Sequence, residues 1–399
     1  MARVYPGAGV CLARASNALF GALVRGGSTL VSRLAEFPGE GRGTSRKGMR
    51  ERVSEWLGNY DFAGPAAEWM RSRFAPLVGE DTAIPVDFSD ISKEFGGKGM
   101  EGMAPGWDGS RKTTAMGHTF CAAAAICPSR DSVMPLRFCV EKGRRGLFGR
   151  MRDVLDGVHA DTGGRGVPVI DRGGDSEEVV GHLLAKGRRA VIRVNTLGRD
   201  VFGTGNAIDK ELSAIPATDV TLHRKGGCAK AKLRRKKGFF GPLSLPLLVV
   251  ESAFGDTTLY LYVLLGKDAG TEDPAKLREY AEHAAQAYLD RWQIEVFFLR
   301  VKQDFALEAA RVRTFRRLRN LFYLCVLGYA FCAHVIPGSA SRSAILKVFR
   351  DNFQRVSLRM QVFLSGLRAL LEEPRLRHIT GRPRKPPGID PSQMLFAWG

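Results

Sequence analysis

Residues 167–194 read VPVIDRGGDSEEVVGHLLAKGRRAVIRV, and this stretch decides the fold. A short apolar run, Val167 to Ile170, ends in a carboxylate, Asp171. A helix-type segment then covers Ser176 to Lys186, and a second β-branched run covers Ala190 to Val194. Strand, helix and strand at this spacing make the crossover unit of a parallel sheet. Functional sites gather at the strand ends of such sheets, and Asp171 stands on one.

Upstream, short apolar β-type runs occupy Ala83 to Phe88, Met116 to Ile126 and Met134 to Val140, separated by Gly, Pro, Ser and Asp clusters. They predict an antiparallel meander, joined to the crossover by a basic helix over Leu147 to His159. Three antiparallel strands followed by helix, strand, helix and strand is the order of a ribonuclease H-like fold, an α/β class with a mixed sheet and flanking helices. Asp87 closes the first of these strands as Asp171 closes a later one. Downstream the pattern returns to strands, notably Leu247 to Ser252 and Thr258 to Leu265, with a basic loop from Arg224 to Lys237 before them. A helical period runs from Pro274 to about Phe305, with further helices over Arg316 to Ile336 and Arg342 to Glu372. From Met49 to Leu77 the apolar spacing fits helices broken at Gly64-Pro65. The organisation read from these shifts is 1–47 unassigned, 48–80 helical, 81–196 the first part of the core, 197–270 a β-rich insertion, 271–340 helices completing the core, and 341–399 a C-terminal helix with a basic tail.

The 399 residues are ample for a buried core, and 44% hydrophobic with 25% charged excludes wholesale disorder. Lys and Arg number 60 against 41 Asp and Glu, a formal charge of +19, which points to a polyanionic partner. Seven cysteines without a Cys-x-x-Cys pair read as reduced, cytoplasmic thiols rather than a zinc site or a disulfide frame. Residues 1–31 contain the apolar piece Ala18 to Val24, but it is short, and Arg3, Arg14 and Arg25 interrupt the region, which disfavours a secretory leader. The longest apolar run, Leu321 to Ile336, is short for a membrane span and reads as a buried helix.

The most informative segment for chemistry is Tyr288-Leu-Asp-Arg291-Trp292-Gln-Ile-Glu295, continuing to Lys302. On a helix turning about 100° per residue, Tyr288, Arg291, Glu295 and Lys302 fall within one arc of about 60°. Ile294, Phe297 and Val301 make an apolar stripe for packing. Carboxylates from strand ends, Asp87 and Asp171, together with Glu295 from a helix, are suited to holding two divalent cations for an in-line displacement. Mg²⁺, with Mn²⁺ as a substitute, matches such an oxygen-only set. Arg291 and Lys302 supply charge where a phosphate docks, and Tyr288 a hydrogen bond. Trp292 reads either as a core residue, the commoner fate of a helical Trp, or as a platform for a displaced base.

Tyr288-x2-Arg291-x3-Glu295-x6-Lys302 resembles, at every position, the Tyr-Arg-Glu-Lys signature of DDE transposases of the insertion-sequence four family. Pro85-Val-Asp87-Phe-Ser-Asp90-Ile-Ser-Lys93 is similar to the family's first-aspartate block. Val169-Ile-Asp171-Arg-Gly-Gly174-Asp175 with Val191-Ile-Arg193 is similar to its second, although Gly174 stands where the family usually has an aromatic. The resemblance covers roughly residues 48–340. It implies a ribonuclease H-like core, a catalytic and metal-binding triad of Asp87, Asp171 and Glu295, and contacts to the element end from Tyr288, Arg291 and Lys302. It also implies double-stranded DNA as substrate and a homodimer holding two ends. Asp90 competes with Asp87, which is preferred because it directly follows the apolar strand.

Basic residues cluster at Lys142 to Arg152, at Arg224 to Lys237, which includes Arg234, Arg235, Lys236 and Lys237, and at Arg311 to Arg319. Together they predict salt-dependent contacts to a duplex backbone. Gly381-Arg382-Pro-Arg384-Lys resembles an AT-hook, with a plain basic tail as the equal alternative. The expected function is that of a DNA transposase. Its rivals are a nuclease of the same fold that cuts without joining, a copy that only binds DNA, and a membrane-anchored protein.

Overall fold

The computed structural model describes residues 10–36, 45–93, 99–108, 113–128, 132–140, 146–224, 227–241 and 244–335. The helix expected over Arg342 to Glu372 and the tail with Arg382 and Arg384 lie outside the described residues. Two compact units form, one within Met1–Ser72, Asp90–Thr119 and Phe298–Gly399, the other from Arg73–Ser89 and Phe120–Phe297.

In chain order the helices and strands open with α1 (Val10–Gly26), α2 (Val31–Leu34), α3 (Arg46–Asn59) and α4 (Ala63–Phe74). Next come β1 (Ala83–Ser92), β2 (Ala104–Asp108), β3 (Thr113–Ile126) and β4 (Val133–Val140). The crossover region holds α5 (Leu147–Thr162), β5 (Val167–Ile170), α6 (Glu177–Ala185) and β6 (Arg189–Arg193). After α7 (Ile208–Ser213) come β7 (Thr218–Arg224), β8 (Gly227–Phe240), β9 (Leu245–Phe254) and β10 (Thr257–Leu265). The last described helices are α8 (Pro274–Asp290), α9 (Gln293–Gln303) and α10 (Phe315–Ala330).

Within the second unit the sheet runs in the order β1-β5-β6-β10-β9-β8-β7, and β4 pairs antiparallel with β3. β1, β5 and β6 are parallel, and β10 joins β6 antiparallel through Tyr262↔Ile192 and Val263↔Val191. This is a mixed α/β sheet flanked by helices, as the element order predicts. The residues read as an insertion extend it past β6. The central strands are apolar on both faces, with Ile84, Val86, Val169, Ile170, Val191 and Ile192 all buried, because helices cover them. Ser176 starts α6 by accepting the Val179 N–H at 3.2 Å, with Glu177 and Glu178 in the first turn. α5 stops at Gly163, whose φ of 65° a residue with a Cβ adopts at a cost. α8 is clipped to the sheet by Gln286, which bridges the His223 backbone N–H at 2.7 Å and C=O at 2.9 Å.

The first unit corrects the sequence reading in two places. Residues 10–26, left unassigned there, form a helix that buries Leu19, Phe20, Leu23 and Val24, with Phe20 edge-on to Phe331 at 5.7 Å. The helical break lies at residues 60–62, not at Gly64-Pro65, which fall in the first turn of α4, where a proline has no N–H to lose from the helix ladder. α10 is buried along most of its length, and among the described residues no helix is long and apolar enough to cross a membrane. Lys93, almost fully buried, donates Nζ to the carbonyls of Leu307, Glu308 and Ala310 at 3.2, 2.7 and 2.9 Å. Burial pulls its pKa down to about 8 against the opposing charge of Glu308.

Asn320 is the polar clip of this unit. It accepts the Phe62 N–H at 3.0 Å and donates to the Leu57 and Tyr60 carbonyls at 2.8 and 2.9 Å, closing the α3–α4 turn onto α10. Asn320→Ala strands three backbone groups, two of them buried, and urea denaturation is expected to show a loss of about 2–4 kcal/mol. A loss under about 0.5 kcal/mol removes Asn320 from this role.

Candidate active site

The parallel register sets the centre of the site. Val86 pairs with Ile170 and Ile170 with Ile192, so the next residue on each strand, Asp87, Asp171 and Arg193, stands in one row. Neighbouring strands lie about 4.8 Å apart, which brings two carboxylates side by side. Arg193 Nη1 lies 3.5 Å from Asp171 Oδ1.

The turn between α8 and α9 brings the remaining groups. Tyr288 donates its hydroxyl to Asp171 Oδ1 at 2.7 Å. The Arg291 guanidinium reaches all three carboxylates: Nη1 to Asp87 Oδ2 at 3.2 Å, and Nη2 to Glu295 Oε1 at 2.9 Å and Asp171 Oδ2 at 3.9 Å. Its side chain is only 10% exposed, and its buried Nε–H has no acceptor.

The continuous helix expected from Pro274 to Phe305 is not formed. α8 ends at Asp290, and three successive i→i+3 bonds, Arg291 to Tyr288, Ile294 to Arg291 and Glu295 to Trp292, tighten the backbone before α9 runs on. No Gly or Pro marks this break. The contacts of Tyr288 and Arg291 with the strand-end carboxylates hold it. Trp292, at its apex, is 45% exposed and so is not the core residue that a helical Trp more often becomes. Lys302 pairs with Asp90 and Glu308, each at 3.6 Å, and Asp90 also accepts the Ser92 hydroxyl.

Electrostatics separate the two row carboxylates. Burial raises Asp87 to about 6 against the charge of Arg291, and the negative charges of Asp171 and Glu295 add to the rise. Burial also pushes Asp171 upward, but the Tyr288 hydrogen bond and the charges of Arg291 and Arg193 outweigh it and leave Asp171 below the usual carboxylate range. Tyr288 is raised to about 12, first by burial and then by its bond to Asp171.

The family described as "Transposase DDE domain" matches residues 79–331, more than half of the chain and all of this site. The chain belongs to that family. No curated protein matches it.

The transposase holds its second-aspartate turn with a residue that the sequence reading quoted without assigning it a role. Asp175, its side chain fully buried, accepts the N–H groups of Asn195 and Thr196 at 2.7 and 3.2 Å and pairs with Arg199 at 2.5 Å. Arg199 in turn lies over the ring of Phe240 at 4.9 Å. The turn after Asp171 is thereby tied to the segment after Arg193. Its position four residues beyond Asp171 is the one signal that marks it. Gly174, the departure from the family pattern, has a local cause, since a Cβ there meets Ile170 Cγ2 at 2.3 Å.

The basic stretch read as a loop is mostly strand β8, and its charges are largely engaged. Arg234 pairs with buried Glu251, Lys236 with Glu211 at 2.5 Å, and Lys237 with Glu272, while Arg235 donates to the Pro274 carbonyl at 3.4 Å. Lys230 and Lys232, on the face shared by Arg234 and Lys236, are exposed.

Two outcomes are expected. A carboxyl whose folded pKa is raised favours the folded state below its unfolded value near 3.8, and that contribution disappears as pH rises through about 6. Asp87→Asn therefore stabilises the transposase by roughly 1–3 kcal/mol at pH 8 and flattens the stability profile between pH 4 and 6. Urea melts across that range check it, and a destabilised variant at pH 8 refutes it. Arg234→Gln leaves buried Glu251 without its cation, with the Tyr260 hydroxyl still bonded to it, and should cost about 3 kcal/mol, seen as a lowered melting temperature.

Proposed function

We propose that the transposase is of the insertion-sequence four type, with Tyr288, Arg291, Glu295 and Lys302 as its signature residues. In this reading Asp87, Asp171 and Glu295 are the carboxylates of a metal-dependent phosphoryl transfer on double-stranded DNA. The observation that carries it is the convergence of all three on one cationic centre, the Arg291 guanidinium. Among the described residues no three His, Cys, Asp or Glu side chains stand at ligating spacing, with Arg291 lying among these three. The donor set is oxygen only and already shares one cation, which fits Mg²⁺ or Mn²⁺. Such ions, when bound, activate an attacking oxygen and stabilise a leaving one.

The chain's own residues do the rest by positioning and charge. Tyr288, Arg291 and Arg193 hold Asp171 below the usual carboxylate range, which favours its ionised form. Arg291, released from part of its carboxylate contacts, offers the scissile phosphate a planar fork and an Nε–H that now lacks an acceptor. Exposed Trp292 supplies a face for an unpaired base beside the cut. Water first breaks the P–O bond at the element end, leaving a 3′-hydroxyl on the element. That hydroxyl then attacks a target phosphorus in line and expels the target's own 3′-oxygen. Two ends require two such sites, hence a homodimer. Lys230 and Lys232 would contact the duplex backbone.

The test is end cleavage of labelled duplex in Mg²⁺. Asp87→Ala, Asp171→Ala and Glu295→Ala should each lower the rate by orders of magnitude and leave duplex binding intact, while Asp90→Ala keeps most activity. Joined donor and target in a plasmid assay separates a transposase from a nuclease that only cuts. If the three variants cut like the parent, the assignment of the triad fails. Neutralising Lys230 and Lys232 should flatten the slope of log K against log salt by up to about 0.9 per lost contact, and an unchanged slope removes β8 from the interface.

A further inference from the structure

At the other ends of the same parallel strands, roughly 13 Å from the carboxylate row along the four residues of β5, lies a cavity of about 190 Å³. Its wall comes from the starts of β1, β5 and β6 and from the turn after β10. Four of its residues are cationic, Arg165, Arg188, Arg189 and Lys267, against the single carboxylate of Glu80.

Two of the four cations are spoken for. Arg188 pairs with Asp156, and Arg189 with Asp81 at 2.7 Å. The other two are not. Arg165 is held in place by backbone carbonyls alone, with Nε on Thr162 O at 2.9 Å and Nη2 on Ala75 O at 3.5 Å, so its charge is oriented but not neutralised. Lys267, exposed at the rim, makes no salt bridge among the described residues; the carboxylate next to it, Asp268, feels its charge but accepts the Tyr280 hydroxyl. Cations without a salt bridge beside a low-dielectric recess raise the local positive potential and draw anions. Beneath them Leu155, Val158 and Leu183 give an apolar floor. Charge at the rim above an apolar floor matches an anion that carries an uncharged ring.

We infer that this cavity is a second phosphate-binding site, separate from the carboxylate row. It takes the phosphate of a nucleotide at Arg165 and Lys267, with the sugar or base against the floor. The same chemistry comes either from a free nucleotide or from the backbone of bound DNA.

The full chain, without divalent metal, is titrated calorimetrically with 2′-deoxyadenosine 5′-monophosphate, with deoxyadenosine, and with duplex DNA over a range of salt. Three proteins are compared: the parent, Lys267→Gln and Arg165→Gln/Lys267→Gln. A free nucleotide as occupant predicts saturable binding of the monophosphate, weakened at least about tenfold in the double variant, with deoxyadenosine binding no better than the monophosphate does to that variant. Backbone as occupant predicts no saturation by the monophosphate but a log K against log salt slope shallower by about 1.8 in the double variant and about 0.9 in Lys267→Gln. Lys267 is exposed, so its single variant carries the test should the double variant not fold. Equal monophosphate binding and equal salt slopes in parent and Lys267→Gln overturn the site. Neither readout involves cleavage, so a failure here leaves the triad assignment standing, and the converse holds.

Discussion

Two negative charges held side by side at the ends of adjacent parallel strands form the constraint that the rest of this site answers. The pairing of Val86 with Ile170 sets Asp87 beside Asp171 at the ends of their strands. The repulsion is met from two sides. Arg193 arrives on the third strand of the same row, and Arg291 arrives from a helix break placed over it. The compensation is uneven, which is why one carboxylate sits above its ordinary pKa and its neighbour below. Pairs of titratable groups driven apart in this way mark places where chemistry is done.

Much of this was legible in the chain. The runs ending in Asp87 and Asp171 and the crossover between β5 and β6 follow from local periodicity; Tyr288, Arg291 and Glu295 meet these aspartates too, but across a helix break rather than on the one helix face their spacing predicts. The features that escaped depend on distant partners. β2 was missed because Pro105 and Gly106 argue against a strand, yet its ladder to β3 forms. The break after Asp290 carries no local signal, since tertiary contacts impose it. The charges of β8 read as a free basic run because Glu211, Glu251 and Glu272, which engage them, lie outside it in sequence. Composition counts charges but does not say which are already matched.

Buried polar groups serve here as clips at chain turns. Asp175 fastens the segments after β5 and β6, Asn320 closes the α3–α4 turn, and Lys93 gathers three carbonyls near residue 308. In each case one side chain satisfies several backbone groups that burial would otherwise leave unpaired. Rigid turns of this kind keep strand-end side chains in register with one another, which a site built for positioning requires.

The row of Asp87, Asp171 and Arg193 also dictates an order of assembly. Asp171 and Arg193 are 22 residues apart and meet through a local crossover, whereas Asp87 lies 84 residues before Asp171, and Glu295 lies 124 after it. Contacts between such distant parts of a chain are slow to form, because the loop-closure entropy must be overcome before any contact compensates for it. The β5–β6 crossover is therefore the natural early nucleus, and Arg291 and Glu295 join the two aspartates only once α8 and α9 have docked. A chain still emerging from the ribosome before residue 291 holds the two aspartates without the cation that reconciles them, and the chemistry waits for a finished protein.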